Sequence, residues 1–297
     1  MKLTLTTHCK INLLLNVVGH REDGFHELEM LMLPVPIFDR LKVEMAGSHI
    51  EVNCNHPNIP NDSNNLAYKA AEKFRAKAKI SDGIRINIEK NIPAEAGLGG
   101  GSGNAAGVLL SLNKLHNQVL SDSILQEISC SLGSDVPFFM QHQPAIAKGR
   151  GESIDPVGPL SILDGKSLLL VRPNFGISTP WAYKNLSHFP GAKNRPLGQA
   201  TDLVLALNKG PLNEAYEKLY NSLELPVFNK FPLIKLIKEH ALSHGAESAL
   251  MCGSGSTVFA VCSNSSVAEL LRESFKSNFG PLSMNQIITL PGKFNPF

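Results

Sequence analysis

The chain has 297 residues, 43% of them hydrophobic and 18% charged, with a formal charge of +2. That balance excludes an intrinsically disordered chain and gives no basic surplus for nucleic acid or an anionic membrane surface. The length exceeds one average hydrophobic core and predicts two domains.

The opening MKLTLTTHCKINLLLNVVG is apolar after Lys2, but it alternates, carries Lys10 and Asn12 inside and lacks a small-residue cleavage site. It reads as strands rather than a signal peptide. Apolar runs fall short of the roughly 18 residues that a spanning helix needs, so no membrane partner is expected and the expected location is cytoplasmic. Cys9, Cys54, Cys130, Cys252 and Cys262 form no C-x-x-C pair and have no histidines at zinc spacing. They are predicted to be reduced and mostly buried, with no protein metal site.

Alternation predicts strands over 2–7, 9–18, 26–35, 40–45 and 49–54, then a helix from Asn65 to about Lys79 whose start is marked by the capping types of PNDSNN. IRINIEK (84–90) is another strand, stopped by Pro93. A helix beginning at Ser102 places Ala105, Val108, Leu109, Leu112 and Leu115 on one face. A short helix over 122–132 follows, and AIAKGRGESI supplies two short strands and a tight turn. The turn-rich stretch near 156–165 marks the boundary between a first half, 1–158, and a second, 159–297.

Beyond it come the strand SLLLVRP, helices near 198–208 and 210–221, and an amphipathic helix in FPLIKLIKEHALSHG that ends at Gly245. ESALM and TVFAVC are apolar strands joined by CGSGS, followed by a helix over 266–276 and the strand NQIITL. This half reads as α+β, with helices on one face of an antiparallel sheet.

The stretch PAEAGLGGGSGNAAG (93–107) invites a phosphate-binding reading but holds no lysine. The Walker pattern G-x-x-x-x-G-K-[ST] is excluded, because the chain's GKS at Gly165 has Leu160 where the first glycine must stand. A dinucleotide pattern over Gly101, Gly103 and Ala106, with Asp122 beyond, fails because the preceding strand ends near Lys90 rather than at the first glycine. Two readings stay open. One is a linker or tight turn; the other is an anion nest, in which glycines turn their N–H groups inward and the following helix adds its free amides and positive dipole end.

Other candidates are ambiguous singly. Strand alternation puts Lys10, Asn12 and Asn16 on one face and Ile11, Leu13, Leu15 and Val17 on the other. Asp135, in LGSDVPFF, suits a helix cap as well as a base. His26 follows an Asp-Gly turn, and Thr179 before Pro180 suits a helix start, with Trp181 and Tyr183 beside it. CGSGST (252–257) suits a glycine hairpin.

Taken together, KINLLLNVVGHREDGFHEL (10–28), NIPAEAGLGGGSGNAAGVL (91–109), LGSDVPFF (132–139) and MCGSGSTVFA (251–260) resemble, in order and spacing, the motifs of the GHMP kinase superfamily. Within it they are similar to the branch that phosphorylates CDP-methylerythritol in the non-mevalonate isoprenoid route. The resemblance implies a two-domain α+β architecture, an N-terminal ribosomal S5 domain 2-like half and a C-terminal ferredoxin-like half, with the small-molecule substrate in the cleft between them. It implies ATP as phosphoryl donor, with Mg2+ bridging the phosphates, and a monomer or homodimer.

By the same resemblance Lys10 and Asp135 are the catalytic pair, and Lys10 supplies the charge absent from the loop. Phosphates would lie along Gly97, Leu98, Gly99, Gly100, Gly101, Ser102, Gly103 and Asn104. Pro93, Asn65 and Leu66 would complete the nucleotide site, the latter two near the adenine. His26 would hydrogen-bond the cytosine edge, Phe25 and Tyr183 would stack on the base, and Asn12 would make a polar contact to the substrate. Four positions depart from the pattern: Phe25 where tyrosine is familiar, Gly103 where a second serine is common, and His8 and Cys9 where Pro-Ala is usual. A mevalonate- or homoserine-type kinase, or a catalytically silent nucleotide or sugar sensor, stays open on the sequence.

Overall fold

The computed structural model describes residues 1–192 and 195–290, so 193–194 and 291–297 of the expected second half lie outside it. Strands β1 (Lys2–His20) and β2 (His26–Met45) each join what alternation divides into two. The joins are irregular, because the antiparallel register shifts at His8/Cys9, Asn12/Leu14 and Val17/Gly19. Pro36 falls among the extra residues of the first shift, where a missing N–H costs no ladder bond.

The second shift corrects the facing of β1. An extra residue at Leu13 reverses the alternation, so Ile11, Leu13 and Leu14 enter one core cluster while Leu15 and Val17 enter the other. Asn16 therefore parts from Lys10 and Asn12; it pairs in register with Glu29 and its Nδ2 donates to the Pro196 carbonyl at 3.3 Å.

The rest of the first half is β3 (Ile50–Cys54), α1 (Leu66–Ala78), β4 (Ile84–Glu89), α2 (Gly100–Leu115), α3 (Asp122–Leu132), β5 (Ala145–Gly149) and β6 (Ser153–Pro156). Helix α2 starts at Gly100, inside the glycines and ahead of the expected Ser102. It is buried on more than the one face that its periodicity suggests, since Ala106, Gly107 and Ser111 are covered as well.

The second half comprises β7 (Ser167–Arg172), α4 (Thr179–Asn185), α5 (Gln199–Lys209), α6 (Leu212–Glu217), β8 (Tyr220–Asn221), α7 (Glu224–Lys230), α8 (Pro232–Ser243), β9 (Ser248–Met251), β10 (Val258–Cys262), α9 (Ser265–Phe279) and β11 (Met284–Thr289). The helix expected over 210–221 ends at Glu217. Tyr220 and Asn221 instead form β8, which pairs in parallel with Leu14 and Leu15 of β1. Helix α7, missed by the sequence reading, has Pro226 in its first turn, where the absent N–H is harmless. Ser178, rather than Thr179, caps α4 by accepting the Trp181 N–H.

The larger sheet runs β3-β4-β2-β1-β8, with β5 and β6 continuing from β2; the smaller is antiparallel, β11-β7-β10-β9. Leu168 and Leu170 of β7 and Phe259 and Val261 of β10 share a core with Ile11, Leu13 and Leu33 of the larger sheet. Their neighbours Leu169, Val171, Val258 and Ala260 join the core that holds Ile237 of α8 and Leu271 of α9. Both faces of the smaller sheet are thus covered, which is why SLLLV and VFAVC read as unbroken apolar runs. Among the described residues no helix is long and apolar enough to cross a membrane.

Candidate functional site

The glycine loop is held where side chains would not fit. Gly97 and Gly99 have φ of +76° and +73°, the region that favours glycine. A Cβ on Gly97 would stand 1.9 Å from the Cys252 carbonyl oxygen, and one on Gly99 would stand 2.8 Å from the Phe139 ring. Gly103 is explained the same way, since a Cβ there would lie 3.1 Å from the His8 carbonyl oxygen as α2 crosses β1. Gly101 has only Leu66 nearby, at 3.9 Å, so its surroundings would admit a side chain. Gly99 is the N-cap of α2, and the first amides of that helix have no intrahelical acceptor.

Lys10 lies beside this loop. Its backbone N–H donates to the Leu98 carbonyl at 3.0 Å. Its Nζ donates to Asn12 Oδ1 at 2.8 Å and stands 3.3 Å from Asp135 Oδ2. Asp135 does not cap the short helix after it, which begins at Pro137 with no side-chain cap bond. The Lys10 side chain is 5% exposed and that of Asp135 30%, so the carboxylate reaches the open side. Asn12 is fully buried behind Lys10, outside the cleft lining, with its Nδ2 directed to Met30 Sδ.

These groups open into a cleft of about 1770 Å³ that both halves line. Pro93, Gly97 through Ser102 and Asn104 border it, as do Asn65 and Leu66; Gly103, turned toward β1, does not. Asn65 spends its side chain on α1, accepting the Ala67 N–H at 2.9 Å and donating to the Pro60 carbonyl at 2.7 Å. Asn104 is buried and accepts from Thr7 Oγ1 at 2.8 Å. The Asp-Gly turn and α4 bring His26 and Tyr183 to the same cleft, with ring centroids 5.2 Å apart. Burial, and secondarily the negative charge of Asp135, push the Tyr183 hydroxyl above the ordinary tyrosine range. Phe25 lines the cleft with half its surface exposed.

CGSGST is the hairpin its spacing suggests, joining β9 to β10, and it also borders the cleft through Gly253 and Ser254. Ser254 Oγ meets Thr179 Oγ1 at 2.8 Å, and a Cβ on Gly253 would stand 3.6 Å from Lys10 Nζ. Asn221 of β8 fastens this hairpin, donating to the Met251 and Gly253 carbonyls at 2.8 and 2.7 Å.

Sequence reasoning missed a second lysine at the loop. Lys90 Nζ would lie 2.8 Å from a Cβ on Gly100; it pairs with Asp39 at 2.6 Å and donates to the Ile92 carbonyl. The other Asp39 oxygen accepts the Asn91 and Ile92 N–H groups, each at 2.8 Å. His8, one of the departures from the pattern, is buried against Phe138 and Phe139, with Nδ1 2.9 Å from the Cys9 carbonyl and Nε2 3.2 Å from His142 Nδ1. Burial lowers its pKa to about 4, opposed in part by the hydrogen bond to Cys9.

The family described as GHMP kinases N terminal domain matches residues 65–143, and GHMP kinases C terminal matches 203–281. The 4-diphosphocytidyl-2-C-methyl-D-erythritol kinase of Clostridium perfringens is 38% identical over 278 residues, covering 93% of this chain and 94% of its own length. That of Syntrophotalea carbinolica is 41% identical over 272 residues, covering 91% and 93%. Among solved structures, a crystal structure of 4-(cytidine 5'-diphospho)-2C-methyl-D-erythritol kinase matches with a TM-score of 0.77 at 32% identity, covering 98% of this chain and all of that one.

Proposed function

The chain belongs to the GHMP kinase family, and from that premise we infer that it phosphorylates the 2-hydroxyl of 4-diphosphocytidyl-2-C-methyl-D-erythritol, with ATP as donor, in non-mevalonate isoprenoid precursor synthesis. One observation carries the reading: a single cleft holds the Lys10–Asp135 pair, at 3.3 Å, beside a glycine loop, and the His26–Tyr183 rings, at 5.2 Å, beyond it.

The residues present fit a nucleotide. Gly97 and Gly99 leave no room for side chains, so the loop offers backbone, and α2 adds its free amides and positive dipole end. Gly97 to Ser102 would hold the phosphates, and Leu66 and Pro93 would border the base. Among the described residues no three His, Cys, Asp or Glu side chains gather as a metal site. Magnesium would therefore take most of its ligands from phosphate and water, as suits that ion. ATP, when bound, supplies the phosphoryl group.

The acceptor is a tertiary alcohol, a poor nucleophile until its proton leaves. Asp135, the more exposed partner, receives that proton at its carboxylate. Lys10 stabilises the developing negative charge, and Asn12 holds its ammonium in place. His26 hydrogen-bonds the cytosine edge while Phe25 and Tyr183 offer ring faces to the base. The phenylalanine keeps the stacking and gives up a hydroxyl contact.

Purified protein supplied with ATP and the CDP substrate should release ADP, and mevalonate or homoserine should leave the rate at background. Turnover of either alcohol instead, or none with the CDP substrate, ends the reading.

A further inference from the structure

Arg150 lies at the tip of the β5–β6 hairpin, between Gly149 and Gly151, whose φ values are +71° and +113°. Other groups close that turn: Glu152 accepts the Arg150 backbone N–H at 2.6 Å, and the Gly151 N–H donates to the Lys148 carbonyl at 3.0 Å. The arginine side chain extends into the cleft instead. Its Cζ lies 4.8 Å from the centroid of the Phe25 ring, and both residues line the cleft with His26 and Tyr183. The charge of Arg150 acts on the carboxylate of Asp23 in the neighbouring Asp-Gly turn, and its ion pair is with Glu152, with Oε1 3.7 Å from Nε. That separation is longer than a charge-assisted hydrogen bond.

We propose that Arg150 is a specificity-determining residue whose guanidinium, laid over Phe25, binds the diphosphate of the substrate. The proposal rests on the substrate reading given above and adds the group that reads the charged part of that molecule. A diphosphate offers paired oxygens at the spacing of the planar guanidinium fork, and arginine keeps its charge across the working pH range. Cation–π contact with Phe25 restricts the long side chain before the substrate arrives, so less freedom is lost on binding. The half-exposed ring thus has two uses, one face toward the guanidinium and the other toward the base. Discrimination against uncharged ligands follows, because a neutral nucleoside leaves the guanidinium to its long contact with Glu152 and gives it no phosphate to bind.

Calorimetric titration with CDP and with cytidine, on the full chain and on Arg150→Met and Arg150→Lys, tests this. CDP should bind the unmutated protein more tightly than cytidine. Arg150→Met should lose about tenfold in CDP affinity, the scale of one charge-assisted contact, with cytidine affinity and the KM for ATP unchanged. Arg150→Lys should recover part of the loss. The KM for the CDP substrate should rise about tenfold with kcat little altered, since this contact forms before the chemical step. Equal CDP affinities for the unmutated and Arg150→Met proteins, or matching losses for CDP and cytidine, overturn the assignment. If the unmutated protein binds neither ligand, the substrate reading itself falls and takes this proposal with it.

Discussion

Two lysine–aspartate pairs flank the glycine loop, and they differ in what surrounds them. In one, Lys10 stands 3.3 Å from Asp135, whose side chain is 30% exposed. In the other, Lys90 stands 2.6 Å from Asp39, with side chains 3% and 0% exposed. The Asp39 oxygens are committed to Lys90 and to two backbone N–H groups of the segment leading into the loop. The Asp135 carboxylate borders the cleft and is within reach of a ligand. On the proposed function, the same two residue types would serve as machinery where one oxygen can change partners, and as scaffold where none can.

Exchanging the carboxylates for amides should separate these roles. Asp135→Asn should lower kcat about a thousandfold or more while the KM for ATP and the melting temperature stay near their original values. Near-normal turnover would remove Asp135 from the mechanism. Asp39→Asn should act the other way round. Leaving Lys90 buried without its counter-charge should cost about 3–5 kcal/mol, roughly a 10 °C drop in melting temperature for a chain of this size, and raise the KM for ATP as the loop loosens. A melting curve that coincides with the original would show that this pair is not structural.

His8 gives the finest probe, since its carbonyl borders Gly103 and its ring is buried as a neutral group. Its folded pKa, about 4, lies below the ordinary 6.5. Between those values the unfolded chain binds the extra proton, so stability is full above about 6.5 and falls as the pH drops toward 4. The loss at pH 5 should be about 2 kcal/mol, read from urea unfolding at pH 7 and pH 5. His8→Gln should shrink the difference to what the neighbouring His142, its own pKa lowered by burial, contributes, and an unaltered pH dependence in that variant would exclude His8 as its source.

The readable parts of this site were those written in contiguous sequence. Lys10 lies within an alternating strand, the glycines lead into a helix, and Asp135 sits in LGSDVPFF, so local pattern and resemblance together singled them out. The pairing of Asp39 with Lys90 was not readable, because it spans 51 residues and joins one strand to the residue just past the end of another, which no local pattern relates. Asn16 was misplaced because alternation cannot reveal the extra residue at Leu13, which depends on the register with β2. Strand β8 was lost in a helical reading because two residues are too few to carry a period, and only the open edge of β1 makes them a strand. The antiparallel core of the second half was legible because its apolar runs are bounded by turns on both sides.

Strand β8 also sets a timetable for synthesis. Leu14 and Leu15 find their partners only when Tyr220 and Asn221 follow them from the ribosome. Asn221 must then wait for Met251 and Gly253 before its amide is used. A nascent chain therefore carries an apolar strand edge while the intervening segments are made, the kind of edge that recruits other chains. The contacts that settle Lys10 beside the hairpin joining β9 to β10 form only once both of those strands have been made, so the cleft is completed after the segments that begin it.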